Sequence, residues 1–244
     1  MRRLSALLAA LLAAAALATP AQAAPTPPPT ATPDIIGGAP AYYTPFAVRL
    51  FRDGAPWCSA TIIAPTWVLT AQHCVADSDA TYTFRIGSDW QDAGGVLVTG
   101  VEIITHQHSD LALARVDQAQ PSWWEYARLG EPGAVVAGQD ARIWGWGATC
   151  TGNEVACQSP VLKVATTRVA TLDAADYQGG SAILANAVDG IAAGGDSGGP
   201  MTAISPVDGK QYQVGVSSTS NRSTWCAYTN VTLYRDWIRS VAGV

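Results

Sequence analysis

The sequence predicts an all-β protein, a sandwich or barrel of short strands closed by one C-terminal helix. Three observations carry that expectation. Short β-type runs recur at Phe46–Phe51, Ser59–Ile63, Trp67–Thr70, Thr81–Ile86, Val96–Ile104, Leu111–Val116, Ala141–Trp146, Leu162–Val169, Tyr212–Ser217 and Ala227–Leu233. Turn signals separate them at Asp53-Gly54, Ala64-Pro65, Gly94-Gly95, Glu131-Pro132-Gly133 and Asp208-Gly209, with no amphipathic helix in between. Only the last residues change period: Tyr234, Trp237, Ile238 and Val241 fall at i, i+3, i+4, i+7, a helix over Tyr234–Val241 docking on the sheets. Gln118–Ala134, with its Pro, its adjacent Trp123-Trp124 and its Gly, suits a long connection between two halves.

Composition agrees. Of 244 residues, 48% are hydrophobic and 14% charged, the opposite of a disordered chain. The net charge of -5 argues against nucleic acid, which wants a basic face. Lys163 and Lys210 are the only lysines, so no polybasic membrane patch exists.

The first 34 residues stand apart. Arg2 and Arg3 precede an apolar run, Leu4 to Ala18, followed by the small-residue pattern Ala21-Gln22-Ala23. That is the build of a secretory signal over 1–23, shorter than the roughly 20 apolar residues a bilayer core requires. Residues 24–34, rich in Pro and Thr, form an extended pro-segment. Cysteine use fits export. Cys58 with Cys74, and Cys150 with Cys157, are expected to bridge at short separation, leaving Cys226 unpaired or intermolecular. The absence of any C-x-x-C pair argues against a structural zinc.

Chemistry concentrates in three stretches. G-D-S-G-G-P at 195–200 can hold Ser197 on a tight turn, with its hydroxyl exposed and neighbouring N–H groups unblocked, although Gly-rich turns are also common without function. A hydroxyl needs a base, and His73 in T-A-Q-H-C lies at a strand end beside Cys74. A base needs a carboxylate to fix its tautomer, and Asp110 in D-L-A-L is pressed against Leu111 and Leu113 while most other acids sit in polar loops.

T-A-Q-H-C, D-L-A-L and G-D-S-G-G-P in this order resemble the signature blocks of the chymotrypsin/trypsin-type serine endopeptidases, here of the bacterial secreted type. I-I-G-G at 35–38 resembles that family's mature start, and W-G-W-G at 144–147 its central strand. The resemblance runs from residue 35 to the end. It implies two six-stranded antiparallel Greek-key barrels with the active site between them. It further implies His73 as general base, Asp110 as orienting acid, Ser197 as nucleophile, and the N–H groups of Gly195 and Ser197 as the oxyanion hole. Cleavage before Ile35 would free an α-ammonium to pair with Asp196, and Ile191, Gly194, Ser218, Thr219 and Ser220 would contact substrate. Asp34, where relatives commonly carry Arg or Lys, argues against a trypsin-like activator.

Several positions depart from the pattern. Gln72 stands where a small residue is usual. Ala193 stands where relatives carry a Cys, whose partner would survive as Cys226. The pocket base is Ile191, with no carboxylate, which favours a modest apolar side chain at the cleaved position; Asp189 reaches the pocket only with a two-residue insertion. Thr219 and Ser220 replace a usual Trp and Gly. Two other functions compete. His106-Gln107-His108-Ser109-Asp110 fits an H-x-H-x-D metal spacing but offers few ligands. A non-catalytic secreted binding protein on the same scaffold is the alternative to the enzyme. Asp77-Ser78-Asp79 is too ordinary a loop to argue calcium. The expectation is therefore a monomeric, exported peptidase with protein or peptide substrates, an activating protease, and no cofactor, metal, nucleic acid or membrane partner.

Overall fold

The described structure begins with a two-residue strand, β1 (Ala39–Pro40), and six longer strands follow. These are β2 (Ala47–Arg52), β3 (Ala55–Ala64), β4 (Trp67–Thr70), β5 (Tyr82–Ile86), β6 (Val96–Thr105) and β7 (Ala112–Val116). The computed structural model describes residues 35–121 and 123–244, so the expected signal and pro-segment lie outside it. Asp53 (φ 52°) and Gly54 (φ 79°) are both left-handed, the two-residue turn whose twist matches the β2–β3 hairpin. Because β2 pairs with β5 as well as β3, the order β2-β3-β4-β7-β6-β5 closes on itself. Val48, Leu50, Ile62, Leu69, Phe84, Ile86 and Leu113 fill this first barrel.

After a connection spanning 117–139 come β8 (Asp140–Gly145), β9 (Lys163–Ala175), β10 (Ser181–Ala187), β11 (Pro200–Ile204), β12 (Gln211–Ser220) and β13 (Trp225–Asn230). Here β8 pairs with both β11 and β9, closing a second antiparallel barrel, and β1 adds to β9. Ile143, Val169, Ile183, Met201, Val214 and Tyr228 form its core. Ala47 of the first barrel meets Trp144 and Trp146 from the β8 end of the second, and the Ser59 hydroxyl accepts from the Trp146 N–H at 3.2 Å. The last helix, α1 (Arg235–Ala242), follows the second barrel. It lays Ile238, Trp237 and Val241 on the core of the first.

The architecture is thus two closed six-stranded antiparallel barrels and a C-terminal helix, as the sequence led one to expect. Every strand-type run overlaps a strand, although the last one, Ala227–Leu233, leaves β13 at Asn230 and ends in a 3-10 turn over Val231–Leu233. β1, β10 and β11 carry no such run. The inward positions of β10 include Ala182 and Ala185, which have weak strand preference. Pro200 opens β11, where its missing N–H is tolerated, although Pro inside a pattern reads as a breaker.

Candidate active site

Strand β4 ends at Thr70, and one extended residue, Ala71, leads into a single 3-10 turn over Gln72–Val75 that carries His73. The turn is pinned by the Cys58–Cys74 disulfide, which ties it to β3. Asp110 lies just before β7 and is fully buried. Its Oδ2 sits 2.8 Å from His73 Nδ1 and accepts from Ser218 Oγ at 2.6 Å, while its Oδ1 accepts the backbone N–H of His73 at 3.0 Å. Burial alone would push this carboxyl up. The imidazole hydrogen bond and charge, with the Ser218 and His73 N–H donors, outweigh it and hold Asp110 below the usual carboxylate range.

A second buried carboxylate stands behind the first. Asp176 accepts the Asp110 N–H at 2.9 Å, the Thr229 hydroxyl at 2.9 Å, and the N–H groups of Gln178 and Gly180 at 2.9 and 2.8 Å. The next residue, Tyr177, donates its N–H to Ser218 Oγ at 3.0 Å and sets its ring edge-on to His73, 5.9 Å between centroids. Neither residue stood out in the sequence, where A-A-D-Y resembles any acidic loop. Both come from the second barrel, so the two barrels jointly hold the His–Asp pair.

Ser197 and Gly198, from the second barrel, lie with their backbone against the first. The Ser197 carbonyl accepts the Ser59 N–H at 2.9 Å, and Gly198 donates to the Ser217 carbonyl at 2.8 Å. Gly198 (φ +79°) lies against Thr70 and Ala71, beside the turn that carries His73, and leaves no room for a Cβ. Gly195 is also left-handed, at φ +102°. Its carbonyl turns inward to Ser59 Oγ (2.9 Å) and Arg49 Nη1 (3.3 Å). Among the described residues, the N–H groups of Gly195 and Ser197 donate to no acceptor.

Asp196 points the other way, into the second barrel, and is buried. Its carboxylate accepts the N–H of Gly147 at 2.7 Å and of Ala193 at 2.9 Å. Gly145 and Gly147 are needed because any side chain there would strike this carboxylate, which gives the W-G-W-G block a physical reason. Burial raises Asp196 to about 6. The two N–H donors and the charge of Arg49 oppose the rise, and Glu154 adds to it. Ile35 is fully buried in the same core and holds φ 49°.

The residues expected to contact substrate fall at 191–194 and at the end of β12. Ile191 is buried in the second core, its N–H on the Ile36 carbonyl at 2.9 Å. Ser220 opposes Cys226 across β12 and β13, and Cys226 is buried and free, so no disulfide staples this wall. Asp189 is turned away, accepting the Thr166 N–H at 2.6 Å. Ser218 spends its hydroxyl on Asp110. The loop closed by the Cys150–Cys157 disulfide reaches Gly194: Glu154 accepts the Gly194 N–H at 3.0 Å and pairs with Arg222 at 3.0 Å. The H-x-H-x-D spacing does not converge, because the His106 ring packs on Tyr234 and Trp237 while Asp110 faces His73.

Two closed antiparallel barrels clasping a His–Asp pair whose carboxylate is buried define the chymotrypsin-like class of fold. Comparison with known proteins takes this one step further. The family model described as Trypsin matches residues 35–238, and the chain belongs to that family of serine proteases. It is 29% identical to chymotrypsin-like elastase family member 1 of Felis catus, over 85% of this chain and 89% of the relative. The Canis lupus familiaris counterpart is 28% identical over 85% and 92%. Serine protease 56 of Homo sapiens is 30% identical over 84% of this chain, but only 38% of that longer protein. These relatives are mammalian and lend no support to the bacterial secreted type expected from the sequence.

Proposed function

We propose that the chain is a secreted serine endopeptidase that hydrolyses peptide bonds through an acyl-enzyme intermediate, with Ser197 as nucleophile, His73 as general base and Asp110 as its orienting acid. The observation that carries this reading is the buried Asp110 carboxylate, bonded to both Nδ1 and the backbone N–H of one histidine. Two grips on one residue fix the ring and favour the Nδ1–H tautomer. Nε2 is then left to take a proton. Ser197 attacks the carbonyl as His73 takes its proton, and the imidazolium is stabilised by Asp110. The free N–H groups of Gly195 and Ser197 receive the oxyanion. Collapse returns the proton to the leaving amine, and water repeats the sequence to release the acid.

Cleavage before Ile35 by a separate protease is the activation step. Support comes from Asp196, a buried carboxylate whose two N–H donors and the charge of Arg49 do not offset its burial, and from Ile35 itself. A β-branched residue in the left-handed region costs roughly 1–2 kcal/mol, and breaking the 34–35 bond abolishes that torsion. Protein or peptide substrates are cut after small apolar residues. Ile191 offers no counter-ion, Asp189 is engaged elsewhere, and the named similarity to elastases points the same way. The protein works as a monomer and without a cofactor.

A peptide library offered to the cleaved protein is expected to be cut after small apolar residues, with Ser197→Ala inactive. Equal turnover by the two proteins removes the peptidase reading in favour of a binding protein on this scaffold. Cleavage dominated by Arg or Lys overturns the pocket reading alone.

A further inference from the structure

Arg49 lies on β2, and its guanidinium is fully buried between the barrels, where an uncompensated charge is costly. Nη1 donates to the carbonyls of Cys58 (3.2 Å) and Gly195 (3.3 Å). Nη2 donates to the side-chain oxygens of Gln158 and, at 3.4 Å, Gln91. The Gly195 carbonyl belongs to the peptide that lies between the two free N–H groups, those of Gly195 and Ser197. Holding it, together with Ser59 Oγ at 2.9 Å, restrains the torsions that aim both. The same guanidinium acts by charge on Asp196, the next residue. All of this is present while Ile35 is still joined to Asp34.

We propose that Arg49 is a positioning residue for the oxyanion loop, which holds the Gly195 carbonyl and supplies Asp196 with positive charge before any α-ammonium exists, so that the uncleaved chain is a slow peptidase and not a silent precursor. The inference rests on the peptidase reading above. It assigns to cleavage a gain in rate, and to Arg49 the order on which that gain is built. A guanidinium is suited to this because its planar fork reaches two carbonyls and two amide oxygens at once, which an ammonium cannot do.

The test uses full-length protein with the 34–35 bond intact, checked by mass before and after assay, beside the cleaved form. Uncleaved wild type is expected to turn over a peptide substrate ~10–100-fold more slowly than cleaved wild type, on the scale of losing one oxyanion donor. Arg49→Met is expected to lower kcat of the cleaved form ~10-fold with KM little changed, and to abolish turnover by the uncleaved form. Arg49→Lys, which keeps the charge but not the double reach, should fall between. A silent uncleaved wild type overturns the proposal. So do Arg49 variants whose kcat and whose cleaved-to-uncleaved ratio both match wild type. Should Arg49→Met fail to fold by near-ultraviolet circular dichroism, Arg49→Lys decides, and wild-type kcat in both its forms is the contradicting result. If cleaved wild type hydrolyses no peptide and takes up no serine-directed phosphonate, the peptidase reading falls and takes this inference with it. An active wild type with indifferent Arg49 variants sinks the inference alone.

Discussion

Asp110 and Asp196 are both buried carboxylates, yet burial has opposite outcomes at the two. Asp110 is held below the usual carboxylate range because an imidazole, a hydroxyl and an N–H all converge on it. Asp196 rises to about 6 because two N–H donors and the charge of Arg49 fall short of what burial removes. On the proposed activation, the difference separates a finished site from one awaiting the α-ammonium. The His73–Asp110 half is complete in the uncleaved chain; the oxyanion half still has a carboxylate whose ionisation is unfavourable.

The largest effect comes from breaking the finished half. Asp110→Asn should lower kcat ~10⁴-fold, because the wrong tautomer of His73 is then favoured. Steady-state kinetics on the cleaved protein measure it, and a loss below tenfold would mean that Asp110 does not orient the base.

Next comes the unfinished half, read as stability against pH in the uncleaved protein. A carboxyl whose folded pKa lies above its unfolded value binds its proton more tightly when folded. Its stabilising contribution is therefore present at low pH and lost as pH rises through about 6. From 3.8 to about 6, the loss is on the order of 3 kcal/mol at Asp196. Asp110 has the opposite sign: its stability is present above the ordinary carboxyl pKa and lost as pH falls through its lowered folded value. Chemical denaturation across pH 4 to 7 should show the Asp196 slope in uncleaved wild type and lose it in Asp196→Asn. Cleavage, by supplying the α-ammonium, should reverse the slope. A slope unchanged by both would contradict the contrast.

The smallest effect sharpens the comparison. Ser218→Ala removes one donor from Asp110, so the Asp110 pKa should rise and kcat should fall by about tenfold, the scale of a hydrogen bond to a charged group. Carboxyl titration by NMR checks the first and kinetics the second. No change in either would show that the Ser218 hydroxyl is idle.

What the sequence revealed follows from which residues act with near neighbours. His73 beside Cys74, Asp110 before an apolar strand and Ser197 among glycines each carry a local pattern, and the strand runs with the Tyr234–Val241 period outline the fold. Asp176 and Arg49 carry none. Asp176 gains its role from Asp110, 66 residues away, and Arg49 from Gly195, 146 residues away. Alternation on β2 makes Arg49 an outward position between Val48 and Leu50, and so it is. Outward there means toward the oxyanion loop and not toward water, which strand periodicity cannot distinguish.

The central claim is a nucleophile at Ser197 served by His73. The direct measurement is covalent capture: cleaved protein is incubated with a serine-directed phosphonate bearing a small apolar side chain, and the adduct is mapped by peptide mass. One adduct on Ser197, formed by wild type and absent from His73→Ala, is the expected result. An adduct elsewhere, or equal labelling of Ser197 with and without the imidazole, would contradict the account.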